Sequence, residues 1–152
     1  MGEDLPGAVL FACNQNRVRS AMAEGLMKLM FGDRVYVDSC GLRPEEDDEP
    51  DPFMVAVMDE LGADLTRHRA KGFDDLEDEG AFDLVVSLTP EAQHRAVELA
   101  RHSAVDLEYW PTHDPTLEMG SREAVLDAYR EVRDGLVQRL RERFGQPATF
   151  GG

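Results

Sequence analysis

A thiol and a guanidinium six residues apart open the chemical reading of this chain, in the segment Cys13-Asn14-Gln15-Asn16-Arg17-Val18-Arg19-Ser20. It lies between the apolar run Ala8-Val9-Leu10-Phe11-Ala12 and an amphipathic helical pattern that starts near Ala21. Cys13 is therefore expected at the end of a buried strand, and Arg19 where a helix opens. A loop bent between those points turns its backbone N–H groups inward, and such a nest beside a helix N-terminus holds a tetrahedral oxyanion. The same field stabilises a thiolate, the reactive form of cysteine. Arginine adds a planar fork for two oxygens of the anion. Ser20, at the helix start, offers a hydroxyl that caps the helix or bonds the thiolate. A cysteine in an apolar run is otherwise a small core hydrophobe. Against that stand its place at the strand end and the polar residues that follow it.

The second chemical element is His113-Asp114-Pro115. Asp-Pro alone is a turn signal. Here it follows the last strand pattern, where it can reach over the thiol. A carboxylic acid so placed donates a proton to a departing ester oxygen and then serves as base toward water. Asp114 is the expected acid, and His113 reads as an exposed loop residue.

The elements that must position these groups alternate strand and helix. Strand patterns cover Ala8–Ala12, Arg34–Asp38, Phe82–Leu88 and Val105–Tyr109. Helical spacing carries Met22, Leu26, Leu29 and Met30, closed by Gly32, and again Met54, Val57, Met58 and Leu61, opened by Asp51-Pro52 and closed by Gly62. Thr89-Pro90-Glu91 opens a third helix to about Arg101. A long stripe from Ser121 (Val125, Leu126, Tyr129, Val132, Leu136, Val137, Leu140) to Phe144 gives the fourth. Strands separated by helices predict an α/β fold with a parallel sheet and helices on both faces, ligands binding beyond the carboxyl ends of the strands. Glu45–Asp51 reads as an exposed acidic loop, and the tail from Gly145 as loose.

Composition narrows the function classes. The 152 residues hold 31 Asp and Glu against 16 Lys and Arg, a net charge of −15. Nucleic acid is an unsuitable partner for such a surface, and a phosphate substrate is repelled except near local arginines such as Arg17 and Arg19. Two cysteines give no disulfide framework, and no apolar stretch has membrane-spanning length. The acidic start Met1-Gly2-Glu3-Asp4 lacks a secretory pattern. The expectation is one cytoplasmic domain over 1–152, with its core at about 7–144, no membrane, no cofactor and no metal cluster.

The quoted motifs resemble the low-molecular-weight protein tyrosine phosphatases, which share a fold with thioredoxin-coupled and mycothiol-coupled arsenate reductases. The family loop reads Cys, any, Gly, Asn, any, Cys, Arg, Ser. Cys13, Asn16, Arg19 and Ser20 match it, while Gln15 and Val18 depart from it. The resemblance runs from about Val9 to Phe144. It implies a three-layer αβα sandwich with a four-stranded parallel sheet of order 2-1-3-4. It implies Cys13 as nucleophile, Arg19 as oxyanion holder and Asp114 as general acid. Asn14, Gln15, Asn16, Arg17, Val18, Arg19 and Ser20 would form the phosphate-binding loop, with Asn16, Ser20, Ser39 and His68 as its supporting hydrogen-bond network. Asn16 also tolerates a left-handed backbone. Cys40 follows strand two and reads either as a thiol that could protect Cys13 on oxidation or as a buried inert one.

Three readings stay open at this point. One is a cysteine-dependent phosphomonoesterase, acting on a phosphotyrosine protein or a small phosphate ester. Thr116-Leu117 stand where tyrosine phosphatases of the family place aromatics, which weakens aromatic selectivity. The second is an arsenate reductase using an external small thiol, because the segment after strand three lacks the further cysteines of thioredoxin-coupled members. The third is a non-catalytic oxyanion- or partner-binding protein. The acidic loop at Glu45–Glu49 would border the pocket and disfavour acidic peptides.

Overall fold

The computed structural model describes residues 5–44 and 49–145. Its elements in chain order are β1 (Ala8–Cys13), α1 (Arg19–Phe31), β2 (Tyr36–Gly41), α2 (Pro52–Asp59), β3 (Leu84–Ser87), α3 (Pro90–Ala100), β4 (Asp106–Tyr109) and α4 (Arg122–Phe144), with short 3-10 turns at Gly32–Arg34, Phe73–Asp75, Glu79–Ala81 and Pro115–Leu117. Four parallel strands stand in the order β2-β1-β3-β4. Val9, Leu10, Phe11 and Ala12 are fully buried because β1 has a strand on each side and helices on both faces.

Two packed layers flank the sheet. Val9, Phe11 and Cys13 face α1, α2 and α4, among them Met22, Leu26, Met54, Met58, Leu136 and Leu140. Leu10, Ala12, Cys40 and Val85 face α3 through Ala92 and Ala96. This is the three-layer αβα arrangement in the expected strand order. The two expected N-caps are present: the Asp51 carboxylate accepts N–H bonds from Phe53 (2.8 Å) and Met54 (3.1 Å), and Thr89 Oγ1 accepts from Ala92 (3.1 Å). The acidic run at 45–48 and the tail from 146 lie outside the described residues.

Strand β2 differs from its expected span. It begins at Tyr36 and continues through Asp38, Ser39 and Cys40 to Gly41. The apolar pattern ends at Val37, so hydropathy alone stops there. The strand goes on because it pairs with β1 along its whole length, from Ala8↔Tyr36 to Cys13↔Gly41. Polar Ser39 is thereby carried to the end of the sheet that holds Cys13. Among the described residues, no helix is long and apolar enough to cross a membrane.

Helices α2 and α4 are joined by a polar seam that the apolar stripe does not reveal. Arg133 is buried on α4 and donates to the Val57 carbonyl (2.8 Å) and to Glu60 (2.7 Å), while Arg130 forks onto Glu60 at 2.7–3.2 Å. Hydrogen bonds from Arg130 and Arg133 hold the Glu60 carboxyl down to about 2. Because the folded value lies below the ordinary one of about 4.5, its stabilisation is complete above that pH and fades as pH falls toward about 2. Glu60 is 39 % exposed, so the effect is modest. The urea midpoint of Glu60→Gln should therefore fall below the wild-type midpoint at pH 7, and the gap should narrow steadily between pH 4.5 and pH 2.5. A gap that does not change with pH would contradict this account.

Candidate active site

The loop after β1 is shaped by one residue. Asn16 has φ = 57°, and among the described residues no other non-glycine has positive φ. Asparagine tolerates this left-handed conformation better than most side chains. Its amide is fully buried and each of its groups is engaged. Nδ2 donates to Ser20 Oγ (2.8 Å) and Ser39 Oγ (2.9 Å), and Oδ1 accepts the Lys71 backbone N–H (3.0 Å). The Asn16 carbonyl lies 2.7 Å from His68 Nε2, so that ring nitrogen carries the proton and donates.

These contacts order the two serine hydroxyls beside the loop. Ser39 accepts from Asn16 and so donates onward to Glu24 Oε1. Ser20 likewise accepts from Asn16, and its Oγ lies 2.9 Å from Cys13 Sγ and 3.5 Å from the Cys40 carbonyl; a Cys13 thiolate can only accept, so in that state the hydroxyl donates to the sulfur. All four supporting residues expected from the sequence thus meet. Glu24 and Lys71 complete the set, and sequence reading missed both. Burial opposes the Lys71 charge, but the Asp38 carboxylate beside Nζ outweighs it and raises the lysine pKa above its ordinary value.

The rest of the loop is pinned to the ends of neighbouring strands. The Cys13 carbonyl accepts from Leu42 N (3.1 Å), and the Asn14 carbonyl from Arg43 N (2.8 Å). Asn14 Oδ1 accepts from the Thr89 hydroxyl (2.7 Å), a second task for that helix cap. Helix α1 begins after Val18 with no side-chain cap, which leaves first-turn N–H groups for another acceptor. Ser20 does not cap the helix; its hydroxyl is shared among Asn16, the Cys13 sulfur and the Cys40 carbonyl.

Cys13, Gln15, Arg17, Val18, Arg19, Asp114 and Thr116 line one small pocket of about 30 Å³. Cys13 is only 2 % exposed, at the floor. Arg19 is aimed across the pocket by a hydrogen bond from Nη1 to the Thr112 carbonyl (3.0 Å), and its Nη2 lies 3.7 Å from Asp114 Oδ2. Asp114 is itself oriented: Oδ1 accepts from the Thr116 N–H (3.0 Å) and hydroxyl (2.7 Å), which turns Oδ2 toward Arg19. The arrangement can hold a tetrahedral anion against a thiol, with a guanidinium at its side and a carboxyl oxygen facing it. His113 is not part of this pocket; it lines a separate cavity of about 320 Å³ with Trp110 and Arg139.

Cys40 is buried on the opposite face of the sheet, packed with Leu10 and Ala12, while Cys13 packs with the α1 side. Burial, then the neighbouring Cys13, pushes the Cys40 thiol far up and keeps it protonated. Of the two sequence readings of Cys40, the geometry supports the inert thiol.

Gly41 closes the site from below. A Cβ there would sit 2.7 Å from the Asn16 nitrogen and the Gln15 carbonyl carbon, both backbone atoms. Gly41→Ala must displace the loop, and a displacement near 1 Å costs roughly 100-fold in a positioned site. Affinity for inorganic phosphate, measured by calorimetry, should drop by about tenfold or more while the fold persists. Unchanged affinity would show that the loop does not rest on this glycine.

Comparison with known proteins agrees with this geometry. The profile of the low molecular weight phosphotyrosine protein phosphatase family matches residues 8–146. The chain is 33 % identical to an arsenate reductase of Bacillus subtilis over 88 % of this chain and 92 % of that one. It is 31 % identical to an arsenate reductase of Bacillus licheniformis over 91 % and 94 %. Among solved structures, the fold matches a tyrosine phosphatase of Erwinia amylovora with a TM-score of 0.76 at 18 % identity, covering 95 % of each chain. It matches an arsenate reductase in its phosphate-binding state with a TM-score of 0.67 at 26 % identity, covering 89 % and 94 %. On these findings the chain belongs to the low molecular weight phosphotyrosine protein phosphatase family.

Proposed function

We propose that this protein is a phosphomonoesterase that works through a cysteinyl-phosphate intermediate. One observation carries the reading: Cys13, Arg19 and Asp114 line the same pocket, with a serine hydroxyl aimed at the sulfur. Cys13 Sγ attacks phosphorus in line with the leaving oxygen, forming the S–P bond as the P–O bond breaks. Arg19, the loop N–H groups and the open end of α1 take the three non-bridging oxygens. Asp114 gives the proton on Oδ2 to the departing alkoxide or phenoxide. As carboxylate, it then takes a proton from the water that attacks phosphorus, and phosphate leaves. The hydrogen of Ser20 receives the returning thiolate, which makes sulfur a better leaving group.

The walls favour a small ester over a phosphotyrosine side chain. After Asp114-Pro115 come Thr116, bonded to the catalytic carboxyl, and Leu117, which is 66 % exposed. Neither provides the aromatic face on which a substrate ring would stack.

A second reading is favoured by the curated relatives, which are named arsenate reductases. Arsenate has the same shape and charge and would add to Cys13 in the same way. Reduction of As(V) to As(III) needs two electrons from thiols, which become a disulfide. Cys40 is the only other cysteine and sits across the sheet, so an external thiol would attack the Cys13 sulfur, releasing arsenite as a Cys13–thiol mixed disulfide forms, and a second external thiol would restore Cys13 and leave as the disulfide.

Two variants and one assay test these readings. On an aryl phosphate, Cys13→Ser should abolish turnover while inorganic phosphate still binds. Asp114→Asn should lower kcat by about 10²–10⁴-fold for a poor leaving group and much less for an activated one. Turnover that survives Cys13→Ser would end the cysteinyl-phosphate reading. Arsenite release with added low-molecular-weight thiol, in the absence of aryl phosphate hydrolysis, would replace it with the second.

A further inference from the structure

We infer that Arg17 selects substrates that carry a second anionic group, such as a carboxylate, beside the phosphoryl, and that Asp51 and Tyr129 hold it for that task; this rests on the phosphomonoesterase reading above. Two arginines line the pocket, and they stand differently. The Arg19 side chain is 14 % exposed and is committed to the pocket interior. The Arg17 side chain is 38 % exposed and occupies the mouth. Its contacts among the described residues are long: Nη1 is 3.6 Å from Asp51 Oδ2, and Nε is 3.5 Å from the Glu49 carbonyl. Among the described residues they orient the guanidinium by one ion pair and one long hydrogen bond, neither of them a close bidentate contact.

Asp51 does not need Arg17 for its own satisfaction. Its Oδ1 accepts the Phe53 and Met54 N–H groups, and its Oδ2 accepts the Tyr129 hydroxyl at 2.9 Å. It is 4 % exposed and sits at the N-terminus of α2, where a negative charge is stabilised. Burial, and then the hydrogen bond to Asp51, push the Tyr129 pKa up, so the phenol stays protonated and keeps donating. Tyr129 is fixed in turn by its ring contact with Phe53 at 5.5 Å. A buried carboxylate already holding three donors is a rigid post. An arginine leaning on it loosely adds little to stability, but it is held in place for a ligand.

Charge gives that placement its meaning. The chain carries 31 acidic and 16 basic side chains, so a second negative group on a substrate meets a repulsive field almost everywhere. At this mouth a single anionic group small enough to reach Arg17 meets a positioned fork instead, whereas an extended acidic peptide would still meet the repulsion expected of the acidic segment that ends at Glu49. A neutral or cationic substituent gains nothing there, so the arginine acts as a filter rather than as general glue.

The test compares 3-carboxyphenyl phosphate with its methyl ester on the full chain, the ratio being corrected for their different leaving groups with a series of neutral aryl phosphates. A charge-assisted contact of this kind gives the free acid an advantage in kcat/KM of about tenfold. In Arg17→Met the ratio should collapse to near one. In Arg17→Lys it should recover in part, and in Tyr129→Phe it should fall severalfold with the ring packing intact. Raising the salt should compress the wild-type ratio. A simple structural defect, or a role for Arg17 on the phosphoryl itself, would slow both esters alike and leave the ratio standing. A wild-type ratio below about two, or one that survives Arg17→Met, overturns the inference and leaves the phosphomonoesterase reading in place. Hydrolysis of neither ester defeats that reading, and this inference falls with it.

Discussion

The site depends on a left-handed backbone at Asn16, beside which this chain has Gln15 rather than a glycine to share the strain. Holding a non-glycine residue there costs roughly 1–2 kcal/mol. Asn16 offsets this with side-chain hydrogen bonds to Ser20, Ser39 and the Lys71 backbone, and with its carbonyl bond to His68. Each is worth about 1 kcal/mol net, and an unmade one in that buried place would cost more. The same bonds hold the Ser20 hydroxyl beside the sulfur, where it donates once Cys13 is a thiolate. Backbone shape and the electrostatics of the sulfur therefore have one cause. With Gln15 where the family has glycine, the loop has no second flexible point, and Gly41 beneath it supplies the missing room.

Legibility in the sequence followed the range over which each signal acts. Strand β1, the capped starts of α2 and α3, and the stripe of α4 are local patterns, and they were readable. So were Cys13, Arg19 and Asp114, because each sits where an apolar run ends or a helix begins. Ser39 and His68 were visible only through resemblance, since nothing local marks a serine after Val37-Asp38 or a histidine between two arginines. The far end of β2 was misplaced because its last residues are polar and owe their extension to pairing with β1.

What escaped entirely was the set of partners that pairing and packing create. Glu24 lies on α1 four residues before Lys28 and reads as half of a solvated pair, yet it accepts a hydrogen bond from the Ser39 hydroxyl. Asp51 reads as a cap and is also a post for Tyr129 and Arg17, 78 and 34 residues away in sequence terms. Arg133 interrupts an apolar stripe and would be placed in solvent by charge, but it satisfies the end of α2. In each case one residue type serves a local role that the sequence shows, and a distant one that needs the strand order first.

The separation of the two thiols constrains whatever chemistry Cys13 performs. An adduct on its sulfur has to be cleared by something entering through the mouth, because the Cys40 side chain belongs to the other layer. For a phosphoryl adduct the entering group is water. It needs little space, and Asp114 already faces the place where it must lose a proton. For an arsenic adduct the entering group is a thiol on a carbon chain, far larger than the pocket of about 30 Å³ as it stands. That route needs more room at the mouth than the present contact of Arg19 with Asp114 leaves. In either case the incoming anion must first come between Arg19 and Asp114, which stand 3.7 Å apart across the pocket; the two routes part only afterwards, at the size of the second reactant that has to reach the sulfur.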